Sequence, residues 1–361
     1  MKRITFLRIL ITLVLFFLVM PCLSSRAEEE EPYLGDLNGD RAMTAADAAA
    51  MLRGIAFGRL GCKTHPELDF TRNGEIDGTD ARAVLLYTCG GILDWVAFGE
   101  RVSSGLCDER LLDRFSYSGT LDDGKGNYKS ENVSVSIYSG RAGSSDYHLA
   151  DIYIQDIACL VNTFGRGEYF TGPDYVRRMF DSTVGAIVAI NGDYYSVHQY
   201  GPVIRNGVTY IDRITRNWDI AVLLSDGVLL TYAYQTLTKE ELFGMDVYQT
   251  WVFGPSLLNE HGHAKTTFRT GVMPENPRSV LGYYEPGHYA FLAVDGRTRQ
   301  SRGMTIEELS QLCEMLGFSC AYNLDGGQSS VLITNAGPVN NPYNDGRPIS
   351  DIIAVREIPQ G

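Results

Sequence analysis

The sequence predicts a multidomain chain: a small all-α module of paired loop–helix units, then a larger α+β domain with a mixed sheet. Three observations carry this prediction. A short acidic pattern beginning at Asp36 recurs from Asp69, and each copy runs into a helix-like segment. From about residue 130 onward, apolar or alternating runs of strand character dominate. Among them lies one strand–helix–strand stretch, YAFLAV, TIEELSQLCEMLG and FSCAYNL. A chain of 361 residues with 44% hydrophobic and 21% charged residues has the composition of a folded protein with room for two domains.

Residues 1–27 stand apart. Lys2, Arg3 and Arg8 precede the apolar run ILITLVLFFLVM, and Ser25-Arg26-Ala27 offers small residues where a signal peptidase reads. The run is short for a membrane span, so the expectation is a cleaved export signal and a product that is not membrane-embedded afterwards. Its removal takes four basic residues, which makes the mature chain more acidic than the whole-chain charge of -13 and argues against a nucleic-acid partner. Six cysteines remain, none at zinc spacing. Export permits disulfides, and Cys62 with Cys89 and Cys313 with Cys320 are the pairs to test against buried free thiols.

Within residues 33–92, Asp36, Asn38, Asp40, Thr44 and Asp47 fall at positions 1, 3, 5, 9 and 12 of a loop, the oxygen spacing that calcium takes. Asp69, Thr71, Asn73, Asp77 and Asp80 repeat it, with Gly74 at the sixth position where the loop turns. The helix-like segments AADAAAMLRGIAFG and GTDARAVLLYTC follow the two loops. Both loops end in Asp rather than a bidentate Glu, and no entering helix is apparent. This duplicated unit resembles a dockerin. The resemblance implies two Ca2+ ions, a cohesin module of a scaffoldin as partner, and an extracellular place on a cellulosome at the bacterial surface. Calcium is then expected to be needed for the module to fold.

Residues 93–112 read as a packed linker and 113–361 as the larger domain. VSVSIY and ADIYIQDIACLV are strand-like runs separated by RAGSSD. Residues 173–182 read as a helix with Pro173 at its first position, and GAIVAI follows as a buried strand ending at Asn191-Gly192-Asp193. GPVIRNG and the Ser225-Asp226-Gly227 turn predict hairpins. YAFLAV ends at Asp295-Gly296-Arg297, and the helix from Thr305 has a capping box with Glu308 and stops at Gly317. Two strands joined by one helix are most simply parallel, so Asp295 and Asp325 are expected at the same sheet edge.

That edge is where the chemistry is expected. In NLDGGQSS, Gly326 and Gly327 turn the backbone behind Asp325, and with Ser329 and Ser330 they offer donors to an anionic oxygen. Arg278, Arg297 and Arg347 form a set suited to phosphate oxygens. His198 is a spare acid or base.

The ordered motifs NGDYY, GPVIRNG, GPSLL, NPRSVLGY, VDGR, NLDGGQSS and RPISDIIAV resemble the phosphodiester glycosidase family from about Ala150 to Val355. An animal member of that family removes N-acetylglucosamine from its phosphodiester linkage to mannose. Gln328 and Asp193 stand where the family shows a small residue and a glycine. The resemblance implies hydrolysis of a glycosyl-1-phosphodiester between the anomeric carbon and the phosphate oxygen. The phosphate leaves as a stable anion, so the reaction needs charge neutralisation more than a strong acid. In this reading Arg278 and Arg297 neutralise the phosphate, and Asp325 or Asp295 stabilises the anomeric centre or activates water. Asn191 and Asp193 position sugar hydroxyls. No cofactor is assigned to the large domain. The competing readings are a non-catalytic carbohydrate- or wall-polymer-binding module and a plant-polysaccharide hydrolase unrelated to phosphate.

Overall fold

The computed structural model describes residues 44–56, the single positions 68, 76, 78, 80, 81 and 84, and residues 106–358 apart from 199–200 and 215–216. The expected signal segment, the expected calcium ligands Asp36, Asn38, Asp40, Asp69, Thr71, Asn73 and Asp77, and Cys62 and Cys89 lie outside the described residues. The chain divides into two compact units, residues 1–101 and 102–361.

In the first unit, helix α1 (Ala45–Ala56) occupies the segment expected after the first loop. Asp47 Oδ2 accepts from the backbone N–H of Thr44 at 2.8 Å and from its hydroxyl at 3.2 Å, which fixes the helix start. Asp47 and Asp80, expected as the last ligands of the two loops, are both fully buried.

In the second unit the strands begin with β1 (Leu121–Asp122), β2 (Tyr128–Lys129), β3 (Val133–Ala142), β4 (Ser145–Ile154), β5 (Leu160–Phe164) and β6 (Ala186–Asn191). The small hairpins follow: β7 (Val203–Arg205), β8 (Val208–Ile211), β9 (Ile220–Leu224), β10 (Leu229–Tyr232) and β11 (Val247–Trp251). The chain closes with β12 (Arg278–Glu285), β13 (His288–Val294), β14 (Cys320–Asn323), β15 (Leu332–Thr334), β16 (Gly337–Pro338) and β17 (Asp351–Arg356). Its helices are α2 (Val176–Ser182), α3 (Tyr195–His198), α4 (Lys239–Phe243) and α5 (Ile306–Met315).

Two sheets carry the fold: a seven-stranded one in the order β1-β2-β3-β4-β13-β12-β14 and a five-stranded one in the order β16-β15-β6-β17-β5. Their facing sides meet in one core that includes Leu281, Phe291, Val188, Ile190 and Ile353. The outer side of the large sheet, with Val280, Leu292 and Val294, packs on Ile306, Leu309 and Leu312 of α5. The outer side of the five-stranded sheet, with Ala189, Ile352 and Ala354, packs on Val176, Met179 and Phe180 of α2. Alternate residues of one strand thus enter different cores, as a period of two requires.

The domain is α+β and rich in sheet, but its sheets are not mixed. Neighbouring strands within both large sheets pair antiparallel. Runs such as GAIVAI and YAFLAV are apolar throughout because both faces of each sheet are covered, a pattern more usual in parallel sheets. The expected crossover holds in a modified form. β13 and β14 each pair antiparallel with β12, so they run parallel to each other with β12 between them. Both therefore end at one edge.

Two further expectations are corrected, and the open choice between disulfide and free thiols at Cys313 and Cys320 is decided. Pro173 does not open the helix: Asp174 bridges to Ile349 and α2 starts at Val176. The second half of the expected linker belongs to the large unit, with a short helical turn at Glu109–Arg114 and Cys107, Leu111 and Phe115 packed on Tyr153. Cys313 and Cys320 are free thiols, the first fully buried on α5 against the sheet, where burial pushes its pKa upward.

Candidate active site

Strand β14 delivers Asp325 to the shared edge. Leu324, fully buried, donates its N–H to Ser279 O at 2.8 Å and ties the segment to β12. At the end of β6, Asn191 Nδ2 donates to Asp325 O at 2.7 Å, and its Oδ1 accepts from Ser279 Oγ at 2.7 Å. One buried amide therefore clamps three strands behind the carboxylate. Gly327 takes a φ of 65° and donates its N–H to Pro277 O at 2.9 Å. A Cβ on Gly326 would stand 2.9 Å from the same carbonyl, so the two glycines let the chain cross Pro277 closely.

The Asp325 carboxylate is compensated on both oxygens. Oδ1 accepts from Gly326 N–H at 2.9 Å, and Oδ2 accepts from Ser329 Oγ at 2.6 Å and Arg347 Nη2 at 2.8 Å. Arg347 Nε donates to Ser329 Oγ at 2.7 Å, closing a three-membered ring of charge-assisted bonds. The Arg347 guanidinium lies 5.1 Å from the Tyr194 ring centroid. The Asp325 side chain is 8% exposed and that of Arg347 36%, so the cation faces solvent and the anion sits just behind it. A groove of about 120 Å³ borders Arg347, lined also by Tyr175, Val331 and Pro342.

Asp295 forms a second carboxylate centre at the same edge. Its Oδ1 accepts from Asn341 N–H at 2.9 Å and Asn340 Nδ2 at 3.2 Å. Its Oδ2 lies 3.2 Å from His148 Nε2, and His148 Nδ1 lies 2.8 Å from Ser139 Oγ. Asn340 also donates to Ser330 O at 3.1 Å, which links this centre to the NLDGGQSS turn. Arg297 is exposed, with φ 60°, bonded through Nε and Nη2 to Asn276 Oδ1, and its Nη2 would stand 3.0 Å from a Cβ on Gly327. Arg297 and Arg347 thus flank the turn from two sides.

Several sequence-based roles do not match these positions. Arg278 is 2% exposed and lies one residue from Ser279, so alternation sends it to the helix-covered face. There Nε donates to Met304 O at 2.8 Å, and Nη2 donates to the carbonyls of Val272 and Pro274. Burial pushes its pKa down to about 10. It is a cross-brace for the 272–274 segment, not a phosphate reader. The N–H groups of Gly326 and Gly327 are taken by the Asp325 carboxylate and the Pro277 carbonyl, so neither is left for a substrate oxygen. Ser330 Oγ is buried with no hydrogen-bond partner among the described residues. The side chain of His198 lies outside the described residues.

Asp193 and Asn191 are likewise internal. Asp193 Oδ1 accepts from Arg205 Nη2 at 2.8 Å, and Oδ2 accepts from Val252 N–H at 2.8 Å. Arg205 Nε donates to Asp351 Oδ2 at 2.8 Å, and Asn162 Nδ2 donates to the same oxygen at 2.7 Å. This buried cluster of one cation and two anions was not predicted. Arg205 sits in a motif that reads simply as a hairpin turn, and Asp351 opens an apolar strand. Burial raises the Asp351 pKa to about 7, Arg205 opposing the rise and Asp193 adding to it. For Arg205 burial works against the charge, and the two carboxylates overcome it. Asp351 Oδ1 has no hydrogen-bond partner among the described residues and would lie 2.2 Å from a Cβ on Gly192, so glycine is required there. Gly192 N–H donates to Asp351 O, which places the cluster directly beneath the Asn191–Asp325 clamp. His148 carries a signal in the sequence itself: it shares its face of β4 with Ala150 and Ile152, an inward position unusual for a polar ring.

The sequence model of the phosphodiester glycosidase family matches residues 184–356, a span that holds Asn191, Arg205, Asp295, Asp325, Arg347 and Asp351. It includes no part of the N-terminal unit. The SPbeta prophage-derived uncharacterized protein YomE of Bacillus subtilis (strain 168) is 26% identical over 179 residues, 47% of this chain and 28% of that protein. The chain therefore spans well under two thirds of that relative. The zebrafish N-acetylglucosamine-1-phosphodiester alpha-N-acetylglucosaminidase catalytic domain, a structure auto-inhibited by its pro-peptide, shares the fold. It has a TM-score of 0.51 at 20% identity, covering 63% of this chain and 83% of that one. A hypothetical protein from Synechocystis gives a TM-score of 0.49 at 13% identity over 62% of each chain.

Proposed function

We propose that the large unit is a hydrolase of glycosyl-1-phosphodiesters that cleaves between the anomeric carbon and the phosphate oxygen. The observation that carries this reading is the Asp325–Arg347 pair, a carboxylate and a guanidinium held side by side at a sheet edge and open to solvent on the cation side. A glycosyl phosphodiester presents the complementary pattern. Its phosphate is an anion throughout, and its anomeric carbon becomes cationic as the bond breaks. Arg347, with Arg297 on the other side of the turn, neutralises the phosphate oxygens. Asp325 stabilises the oxocarbenium-like centre or orients the water that adds to it, and Asp295 with His148 is the second candidate for that role. Water supplies the new hydroxyl on the sugar, and its remaining proton ends on the phosphate monoester or in solvent. The phosphate-reading role expected of Arg278 passes to Arg347.

The substrate class we favour is an N-acetylglucosamine-1-phosphodiester-like linkage in an extracellular or cell-surface glycopolymer, reached by a secreted protein. The two loop–helix repeats extend the reading: they hold two calcium ions and dock the chain to a cohesin. The position of α1 directly after Thr44, and the burial of Asp47 and Asp80, support equivalent twelfth-position roles. A calcium titration of the full chain that shifts neither helical circular dichroism nor the N-terminal melting transition would refute that part.

For the large unit the test is Asp325→Asn. It should lower turnover of an α-N-acetylglucosaminyl phosphodiester by on the order of 10²-fold or more while leaving the melting temperature close to wild type. Near wild-type turnover would remove Asp325 from the mechanism. A second reading, a binding domain without turnover, is favoured by the hydrogen bonds that already occupy both Asp325 oxygens. Sugar-phosphate binding without sugar release would select it.

A further inference from the structure

We propose that an aromatic platform beside the candidate site, formed by Phe170 and Tyr210 and backed by Tyr169, binds pyranose rings of the glycan chain that flanks the scissile linkage. The proposal rests on the hydrolase reading for what the neighbouring site does, while the platform itself is argued from its own geometry. Tyr169 is stacked between Tyr210, with centroids 4.5 Å apart, and Tyr195, 5.4 Å apart. Phe164 stands edge-on to Tyr169, Tyr195 and Tyr210 at 5.1–5.8 Å and closes the buried end. The outer end is open: Phe170 is 52% exposed and Tyr210 38%.

Tyr169 packs on a small core of Phe164, Tyr195 and Val203, whereas Phe170 and Tyr210 stay at its exposed outer edge. Phe170 has a φ of 63° and Arg166 a φ of 58°, left-handed conformations that cost a bulky residue about 1 kcal/mol or more. The loop is held in that state. Thr171 Oγ1 donates to Gly165 O and Glu168 O, both at 2.9 Å, and Gly165 N–H donates to Ser350 O at 2.8 Å. The opposite wall is equally fixed. Asn206 and Gly207, with φ of 53° and 75°, form the β7–β8 turn, and the Asn206 side chain exchanges hydrogen bonds with Asn162 N and O. Strain at an exposed aromatic, maintained by two rigid loops, points to a surface kept for contact.

The occupant follows from chemistry and position. The C–H face of a pyranose is apolar and weakly electropositive and suits the negative face of an aromatic ring, while its hydroxyls reach a polar rim. Exposed Arg166, Glu168 and Thr209 supply that rim. Continuity with the site comes through consecutive residues: Tyr194 lies under Arg347, and Tyr195 packs on Tyr169. A polymer whose linkage sits at Asp325–Arg347 would therefore run its next sugars across the platform.

The test is equilibrium binding of the full-length Asp325→Asn protein, which removes turnover, to chitohexaose, cellohexaose and a soluble N-acetylglucosamine-1-phosphate polymer. At least one should bind, and Phe170→Ala or Tyr210→Ala in the same background should weaken it by about tenfold. Phe170→Leu, which keeps apolar bulk without a ring face, should weaken it as much as the alanine variant. Near-ultraviolet circular dichroism verifies that each variant is folded. Binding of none of the three glycans, or equal binding by folded platform variants or by Phe170→Leu, would overturn the proposal. A failed hydrolase reading gives a different pattern: no turnover by wild type, with platform-dependent glycan binding intact.

Discussion

Asp325 shares its Oδ2 between Ser329 and Arg347, so its charge is compensated before any substrate arrives. In the proposed reaction a substrate phosphate competes for Arg347, and that competition loosens the carboxylate when it is needed at the anomeric centre. The account therefore predicts different outcomes for two arginines that look alike in sequence. Arg347→Ala should reduce kcat/KM for a glycosyl phosphodiester by on the order of 10²-fold, and much less for an aryl glycoside of the same sugar. Arg278→Ala should instead lower stability by about 2–4 kcal/mol in denaturant melts, because it strands buried carbonyls around residues 272–274. A phosphate-selective kinetic loss in a stable Arg278→Ala protein would reverse the assignment. Asp325, Asp295 and Arg297 were legible because short motifs at strand ends announce them. Arg278 misled because arginine before an apolar strand reads the same on either face, and only the register with β13 decides which face it takes.

Helix α5 and strand β6 are the elements whose sequence and structure agree most closely. The Thr305–Glu308 capping box is formed as expected, and Thr305→Ala should cost about 1 kcal/mol, measurable as a lower denaturation midpoint with unchanged slope. What could not be read was the layer arrangement. Runs such as GAIVAI show burial on both faces without saying whether the neighbours are parallel, and antiparallel pairing between helix layers produces the same pattern. The junction of β6, β7 and β17 was equally hidden, since Asp193, Arg205 and Asp351 meet only through pairing distant in sequence. It makes a pH prediction. The folded Asp351 carboxyl, at about 7, holds its proton above the ordinary value of 3.8, so its contribution favours folding at low pH and declines as pH rises through that window. Asp351→Asn removes the titration. The melting-temperature deficit of that variant should shrink between about pH 4 and about pH 8, and a deficit constant across this range would contradict the shifted carboxyl.

At the scale of the whole molecule, the α+β class and the shared sheet edge of Asp295 and Asp325 were recoverable, because glycine-rich turns and capped helices mark strand ends locally. The boundary was less so: residues 106–115 pack onto the large unit through Cys107, Leu111 and Phe115, which are too sparsely spaced to show a periodic face. The ends of β6, β12 and β14 meet behind one carboxylate–guanidinium pair, and the central claim is that this pair directs water to a sugar carbon and not to phosphorus. Hydrolysis of an α-N-acetylglucosaminyl phosphodiester in oxygen-18 water tests this directly, with mass spectrometry of both products. The account predicts the label on the released sugar and an unlabelled phosphate monoester, with the signal abolished in Asp325→Asn. Label in the phosphate, or no hydrolysis of any glycosyl phosphodiester by the wild-type chain, would contradict it.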